Sequence, residues 1–277
     1  MESITDTQIV YFISIMALTA IPVGFFAGLL GIGGGLITVP ILFYIFHSIG
    51  LDSAYIMHLA VGTSFSIIIP TSIVSTLTHM KFKAVNTSIV KSYGIYVAIG
   101  VLLGTIFAAN LKTAYLILFF SIVTFILSFN FLISKEKKDI EPKKINLFLK
   151  TFIGLAAGFF SAPMGIGGGV INTPVIRMFG YPINVAIGTS AAIGVLIAIV
   201  GTFGFLLTGN YLNINAPLSL GFINIPAFLV FVPITSLMAK IGANIVHKVN
   251  KRLIGKFFGI FLLIVSLRLF FEYLSFN

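Results

Sequence analysis

The stretch GIGGGLITVP, Gly31 to Pro40, returns 134 residues further along as GIGGGVINTP, Gly165 to Pro174, with seven of its ten positions identical. Glycine reaches backbone angles that other residues avoid, so a chain can turn sharply at such a cluster. The apolar segment that follows each cluster, roughly 36–48 and 169–180, has only 12 or 13 residues. About 20 helical residues are needed to cross the hydrocarbon core, so neither segment spans it. Each cluster therefore reads as a break after which a short helix begins.

The surroundings of the clusters are apolar. The 277 residues are 58% hydrophobic and only 9% charged, with a mean hydropathy of +1.12. Soluble domains carry about a quarter charged residues. Segments of membrane length recur along the chain and strand alternation is absent, so the fold class is an all-α, multi-pass integral membrane protein rather than a barrel. The net charge of +10 lies in a few short loops, where Lys and Arg set orientation in the bilayer rather than mark a nucleic-acid partner. There is no cysteine, which excludes disulfides, thiolate metal sites and cysteine nucleophiles. The start, MESITDTQIV, lacks a basic n-region, so the first apolar segment is expected to be retained.

Apolar segments fall at roughly 9–30, 36–48, 56–79, 88–109 and 113–134, then at 146–163, 169–180, 183–208, 218–246 and 252–274. Between the two sets lies the polar stretch SKEKKDIEPKK, Ser134–Lys144. The halves share more than the glycine clusters. Gly24 and Gly28 correspond to Gly154 and Gly158, AVGTS at Ala60–Ser64 to AIGTS at Ala186–Ser190, and FFSI at Phe119–Ile122 to FFGI at Phe257–Ile260. The order is the same in both, which an internal duplication explains. The chain thus divides into an N-terminal repeat (1–133), a basic cytoplasmic linker (134–145) and a C-terminal repeat (146–277).

Lysine placement orients the repeats. MKFKAVNTSIVK (Met80–Lys91), the central linker and HKVNKRLIGK (His247–Lys256) are basic and read as cytoplasmic; the uncharged TGNYLNINAPLSLGFIN (Thr208–Asn224), the loop with Asp52 and the acidic N-terminus read as external. The loop after AVGTS is then inside and that after AIGTS outside. The repeats are expected to lie inverted, with both termini external, each holding a broken or re-entrant glycine-rich hairpin.

A helix start leaves its first N–H groups without internal partners and carries partial positive charge, which suits an anion. Two inverted copies aim two such starts at one place near the midplane. The candidate substrate-binding residues are Gly33, Gly34, Gly35, Thr38, Thr63 and Ser64 from the first repeat, with Gly167, Gly168, Gly169, Asn172, Thr189 and Ser190 from the second. The hydroxyls and the amide are neutral donors for oxyanion oxygens; helix-to-helix hydrogen bonding is their alternative use. The Gly24/Gly28 and Gly154/Gly158 pairs read as close helix packing. None of the seven acids lies inside a segment, except Glu272 at a segment end, which argues against a buried carboxylate relay. His47, His58 and His79 lie near segment ends and read as interfacial. The glycines are not followed by the Lys-Ser/Thr of a phosphate loop, and neither GxSxG nor HExxH occurs, so no nucleotide, metal, cofactor or catalytic residue is expected.

The doubled glycine cluster with its trailing proline, together with the paired GTS motifs, resembles the TauE/SafE family of membrane transporters over essentially the whole chain. On that resemblance Gly31, Gly33, Gly34, Gly35 and Pro40, with Gly165, Gly167, Gly168, Gly169 and Pro174, carry the family motif. The resemblance implies seven or eight spans and the movement of sulfite or an organosulfonate such as sulfoacetate, with a small anion and the bilayer as the partners. The second copy departs by inserting SAPM, Ser161–Met164, between Gly158 and Gly165. The expected function is a non-enzymatic oxyanion transporter in the cell membrane; a passive anion channel and a non-catalytic membrane subunit are the alternatives.

The charge placement makes a direct prediction. A cysteine introduced at Ile140 of this cysteine-free chain is labelled by a membrane-impermeant thiol reagent only after the cells are permeabilised. Labelling of intact cells at that position contradicts the orientation.

Overall fold

The computed structural model describes residues 6–51, 54–133, 146–212, 216–246 and 249–276. The linker 134–145 lies outside the described residues. Among the described residues ten helices follow one another: α1 Asp6–Leu30, α2 Gly35–Ser48, α3 Ile56–Lys81, α4 Thr87–Ala109, α5 Thr113–Ile133, α6 Leu147–Met164, α7 Gly169–Met178, α8 Ile183–Tyr211, α9 Ile225–Ile245 and α10 Lys251–Phe276. Eight of them are long and apolar enough to cross a membrane. α2 and α7, at 14 and 10 residues, are about 21 and 15 Å long at 1.5 Å per residue, against a core of about 30 Å.

One segment departs from the sequence reading. The stretch expected at 218–246 opens with a two-stranded hairpin, β1 Ser219–Leu220 and β2 Ile223–Asn224, before α9 begins. Leu218 and Gly221 turn the chain at positive φ. Asn224 then caps α9, its Oδ1 accepting from the Ala227 N–H at 3.0 Å. The hairpin is short and apolar, so hydropathy alone merges it with the helix.

The packing exchanges helices between the halves. α9 lies against α1 and α3, while α4 lies against α6 and α8; α3 packs on α8 and α5 on α10; α2 sits on α3 and α7 on α8. Exchanging α1 with α6, α2 with α7, and so on to α5 with α10, turns this arrangement into itself. Two four-helix bodies result, α1–α2–α3–α9 and α4–α6–α7–α8, each completed by one helix from the other half.

Small residues make the exchanged contacts possible. A methyl at Gly24 would meet the backbone of Thr235, and one at Gly28 the backbone of Ala239, both on α9. A methyl at Gly158 would meet the Val97 carbonyl on α4, and one at Gly154 would lie 2.8 Å from Tyr96 Cβ. These pairs are packing glycines, as their four-residue spacing predicts: with no hydrophobic drive between helices in lipid, close backbone approach supplies the attraction. The four-residue insertion Ser161–Met164 is absorbed as about one further turn of α6, so the following glycine cluster still faces its counterpart.

Gly28→Ala is accordingly expected to overpack the α1–α9 contact and cost roughly 1–3 kcal/mol. A lowered melting temperature in detergent checks this; an unchanged one contradicts the contact.

Candidate functional site

The two glycine clusters touch. A methyl at Gly33 would lie 3.0 Å from Gly167 Cα, and one at Gly167 the same distance from Gly33 Cα. On either side of this point Gly35 lies against the Gly165 carbonyl and Gly169 against the Gly31 carbonyl. The crossing is therefore backbone on backbone, and all the residues from 31 to 40 and from 161 to 170 are buried. Gly34 and Gly168 are the N-cap residues of α2 and α7, with φ of 88° and 80°, and no side chain caps either helix. At that φ an L side chain is strained. The first helical bonds run from the Ile37 and Ile171 N–H groups to Gly34 and Gly168 carbonyls. The N–H groups of Gly35, Leu36, Gly169 and Val170 precede them, so each break presents a helix N-terminus with its dipole.

The GTS motifs anchor the crossing and the exchanged helices. Ser64 Oγ donates to the Gly165 carbonyl at 2.9 Å, joining α3 to the opposite cluster. Thr63 Oγ1 accepts from the Asn224 N–H at 2.8 Å, and Thr189 Oγ1 accepts from the Asn86 N–H at 2.9 Å. Asn224 and Asn86 are the N-caps of α9 and α4. Gly62 and Gly188 let the chain come close there, lying against the Phe222 and Ala84 carbonyls. The two threonine hydroxyls thus place the exchanged helices. Ser190, fully buried like Ser64, makes no hydrogen bond of its own.

Thr38 and Asn172 occupy equivalent positions but differ in what they offer. Thr38 Oγ1 donates to the Gly34 carbonyl within its own helix at 3.1 Å. Asn172 is fully buried, and its Oδ1 accepts from the Tyr93 hydroxyl at 2.9 Å. Its Nδ2 has no partner. Leaving such a donor unpaired costs about 1–3 kcal/mol, a cost that a ligand oxygen in reach would remove.

Several contributors were not visible as site residues in the sequence. Tyr93 is one: a single tyrosine in an apolar segment carries no pattern. His58 and His79, read as interfacial, are instead buried, and their Nε2 atoms donate to the Ala108 and Gly28 carbonyls at 3.1 Å each. The Gly28 carbonyl lies in the last turn of α1, where no intrahelical donor remains, so His79 serves as its cap; the Ala108 carbonyl also accepts from the Leu111 N–H at 3.1 Å, and His58 is its second donor. Arg177, in the last turn of α7, donates through Nη1 to the Tyr181 carbonyl at 3.0 Å. Among the described residues no three His, Asp or Glu side chains gather as a metal site.

Fold and site together define a multi-pass helical membrane protein with a pair of broken segments at its centre, the arrangement in which secondary transporters bind substrate. The chain belongs to the sulfite exporter TauE/SafE family, whose profile matches residues 16–269. It is 30% identical over 259 residues to a probable membrane transporter protein of Haemophilus influenzae, covering 94% of this chain and 98% of that one. A probable membrane transporter protein of Methanocaldococcus jannaschii is 28% identical, over 83% of this chain and 85% of its own. A third, from Bacillus subtilis, is 24% identical over 93% and 97% respectively. No solved structure matches. The protein is a membrane transporter.

Removing either threonine hydroxyl leaves a backbone N–H without its acceptor. Thr63→Val and Thr189→Val are each expected to cost about 1–3 kcal/mol of stability, read as a fall in melting temperature. Full stability of both variants contradicts the anchoring role.

Proposed function

We propose that this protein carries a small oxyanion, sulfite or an organosulfonate such as sulfoacetate, across the cell membrane, and that the anion binds near the midplane where the starts of α2 and α7 converge. The observation that carries the reading is the meeting of two helix N-termini without side-chain caps, at Gly34 and Gly168, beside a buried amide nitrogen without a partner. N-termini of this kind receive anions. Neutral N–H and hydroxyl donors hold an oxyanion without the desolvation cost of a buried cation, which favours release as well as capture. Gly33, Gly34, Gly35, Thr38 and Ser64, with Gly167, Gly168, Gly169, Asn172 and Ser190, form the binding region, and Thr63 and Thr189 hold its walls.

The repeats run 1–133 and 146–277 and lie inverted, with the 134–145 linker cytoplasmic and both termini external. The basic loops support this orientation, and the exchange of α4 and α9 supports a two-fold relation between the halves. Rocking of α1–α2–α3–α9 against α4–α6–α7–α8 then opens the crossing to each side in turn. Outward movement of one negative charge down an inside-negative potential of about 100 mV releases about 2.3 kcal/mol, so export needs no coupled ion.

Proteoliposomes preloaded with unlabelled sulfite or sulfoacetate are expected to accumulate the labelled anion transiently, and to show no such counterflow with acetate. Linear, unsaturable flux without counterflow contradicts a carrier and identifies a passive pathway; no flux with any sulfur oxyanion contradicts the substrate class.

A further inference from the structure

The two halves of the crossing resemble each other in backbone and differ in side chains. Aligning the N-cap Asn86 of α4 with Asn224 of α9 sets Tyr93 against Phe231, and the glycine clusters set Asn172 against Thr38. On the second-repeat side a phenol meets an amide. On the first-repeat side Phe231 has no polar side-chain atom, and the Thr38 hydroxyl donates into its own helix.

The Tyr93–Asn172 bond does more than join α4 to α7. A phenol O–H directed at Oδ1 fixes which end of the amide faces which way. The amide nitrogen is left on the other side, and a methyl on Gly168 would stand 2.5 Å from it. Nδ2 therefore lies beside the N-cap residue of α7, with the Ile197 side chain against the same spot, at a helix start whose first N–H groups belong to Gly169 and Val170. Asn172 is fully buried and this nitrogen has no partner. The phenol itself is held firmly. Phe179 packs its ring at right angles to Tyr93, 5.6 Å between centroids. Gly154 of α6 leaves the room the ring needs, since a methyl there would lie 3.3 Å from Tyr93 Cε2. The start of α4 is fixed by the Asn86 bond to Thr189.

Resting on the oxyanion-transporter reading above, we propose that the charged head of the substrate is held on one side of the crossing only, at the N-terminus of α7, by Asn172 Nδ2 and the neighbouring backbone N–H groups, and that Tyr93 is the positioning residue that keeps this nitrogen pointed at it. The ligand class follows from the donors. They are neutral, few and grouped at one helix start, which suits a compact head of one negative charge, such as bisulfite or a sulfonate. The opposite half, which has the start of α2 but no side-chain donor left over at Thr38 or Phe231, faces whatever the head carries.

The test uses the purified full chain in detergent, with sodium sulfite under anaerobic conditions as the probe. Affinity is read from the sulfite-dependent rise in melting temperature, and counterflow gives the maximal rate in liposomes. Asn172→Leu is expected to weaken sulfite binding roughly tenfold or more, the loss of a hydrogen bond to a charged group. Asn172→Asp keeps the size and the Tyr93 bond but sets a carboxylate where the anion must sit, and is expected to abolish binding. Tyr93→Phe frees the amide to turn and is expected to weaken binding about fivefold or more, with the maximal counterflow rate within about twofold of the parent. A Tyr93→Phe chain that melts earlier without ligand and turns over more slowly, yet binds sulfite as the parent does, overturns the positioning role. Parent-like affinity in folded Asn172→Asp overturns the one-sided site while the transporter reading stands. A parent chain that binds neither sulfite nor sulfoacetate overturns that reading and the inference with it.

Discussion

Within hydrocarbon every backbone group needs a partner, so a chain can break its helices at membrane depth only where protein or water meets the exposed groups. This protein meets that constraint by laying one break across the other. Gly33 rests on Gly167, the Gly165 carbonyl faces Gly35, and the Gly31 carbonyl faces Gly169. Ser64 adds the hydrogen bond that joins α3 to the crossing. No side chain fits between the strands of the crossing, which explains why the same five-residue cluster is needed twice. The helices around it follow from the same demand. Thr63 and Thr189 sit one residue before the serines of the two GTS motifs and take the N–H groups of the Asn224 and Asn86 caps, so the exchanged helices α9 and α4 are referred to the crossing itself.

The backbone relation is two-fold, but the chemistry is not. Tyr93 and Asn172 on one side have Phe231 and Thr38 opposite. Conversely, the hydroxyls of Thr71 and Thr235 hydrogen-bond each other at 2.8 Å, where the other half has the apolar Ile197 and Val97. On the proposed reading, the two bodies supply what alternating access requires, and the few side chains that differ between them suit one end to a ligand without two-fold symmetry. The Thr71–Thr235 pair binds α3 to α9 within one body, where a partnered hydroxyl adds cohesion without leaving a buried donor open.

Much of this was legible in the sequence. Length, hydropathy and the repeated cluster located all ten helices, and the short segments after the glycines announced themselves because 12 or 13 apolar residues cannot span a bilayer. The four-residue spacing of Gly24 and Gly28 identified packing for the same kind of local reason. What escaped depends on partners distant in the chain. Tyr93 and Asn172 are 79 residues apart, and neither position says alone that an amide nitrogen will be left over. The GTS threonines were read as hydroxyls for a ligand or for helix-to-helix bonding; that their oxygens accept from the Asn224 and Asn86 caps, which no spacing links to them, was not legible. His58 and His79 were placed at the interface by their position near segment ends; the last-turn carbonyls they bind belong to other helices. The 219–224 hairpin was hidden because Leu220, Phe222 and Ile223 run on in hydropathy into the helix it precedes.

The central claim is that the crossing of the two clusters builds an oxyanion site at a helix start. The most direct measurement is a diffraction experiment on crystals of the full chain soaked in selenite, a heavier analogue of sulfite, with data collected at the selenium edge. The account predicts a dominant anomalous peak within about 4 Å of Asn172 Nδ2, the separation expected when an oxygen of the anion accepts from that nitrogen. A well-occupied selenium peak elsewhere in the helical bundle, with the α7 N-terminus vacant, would contradict it.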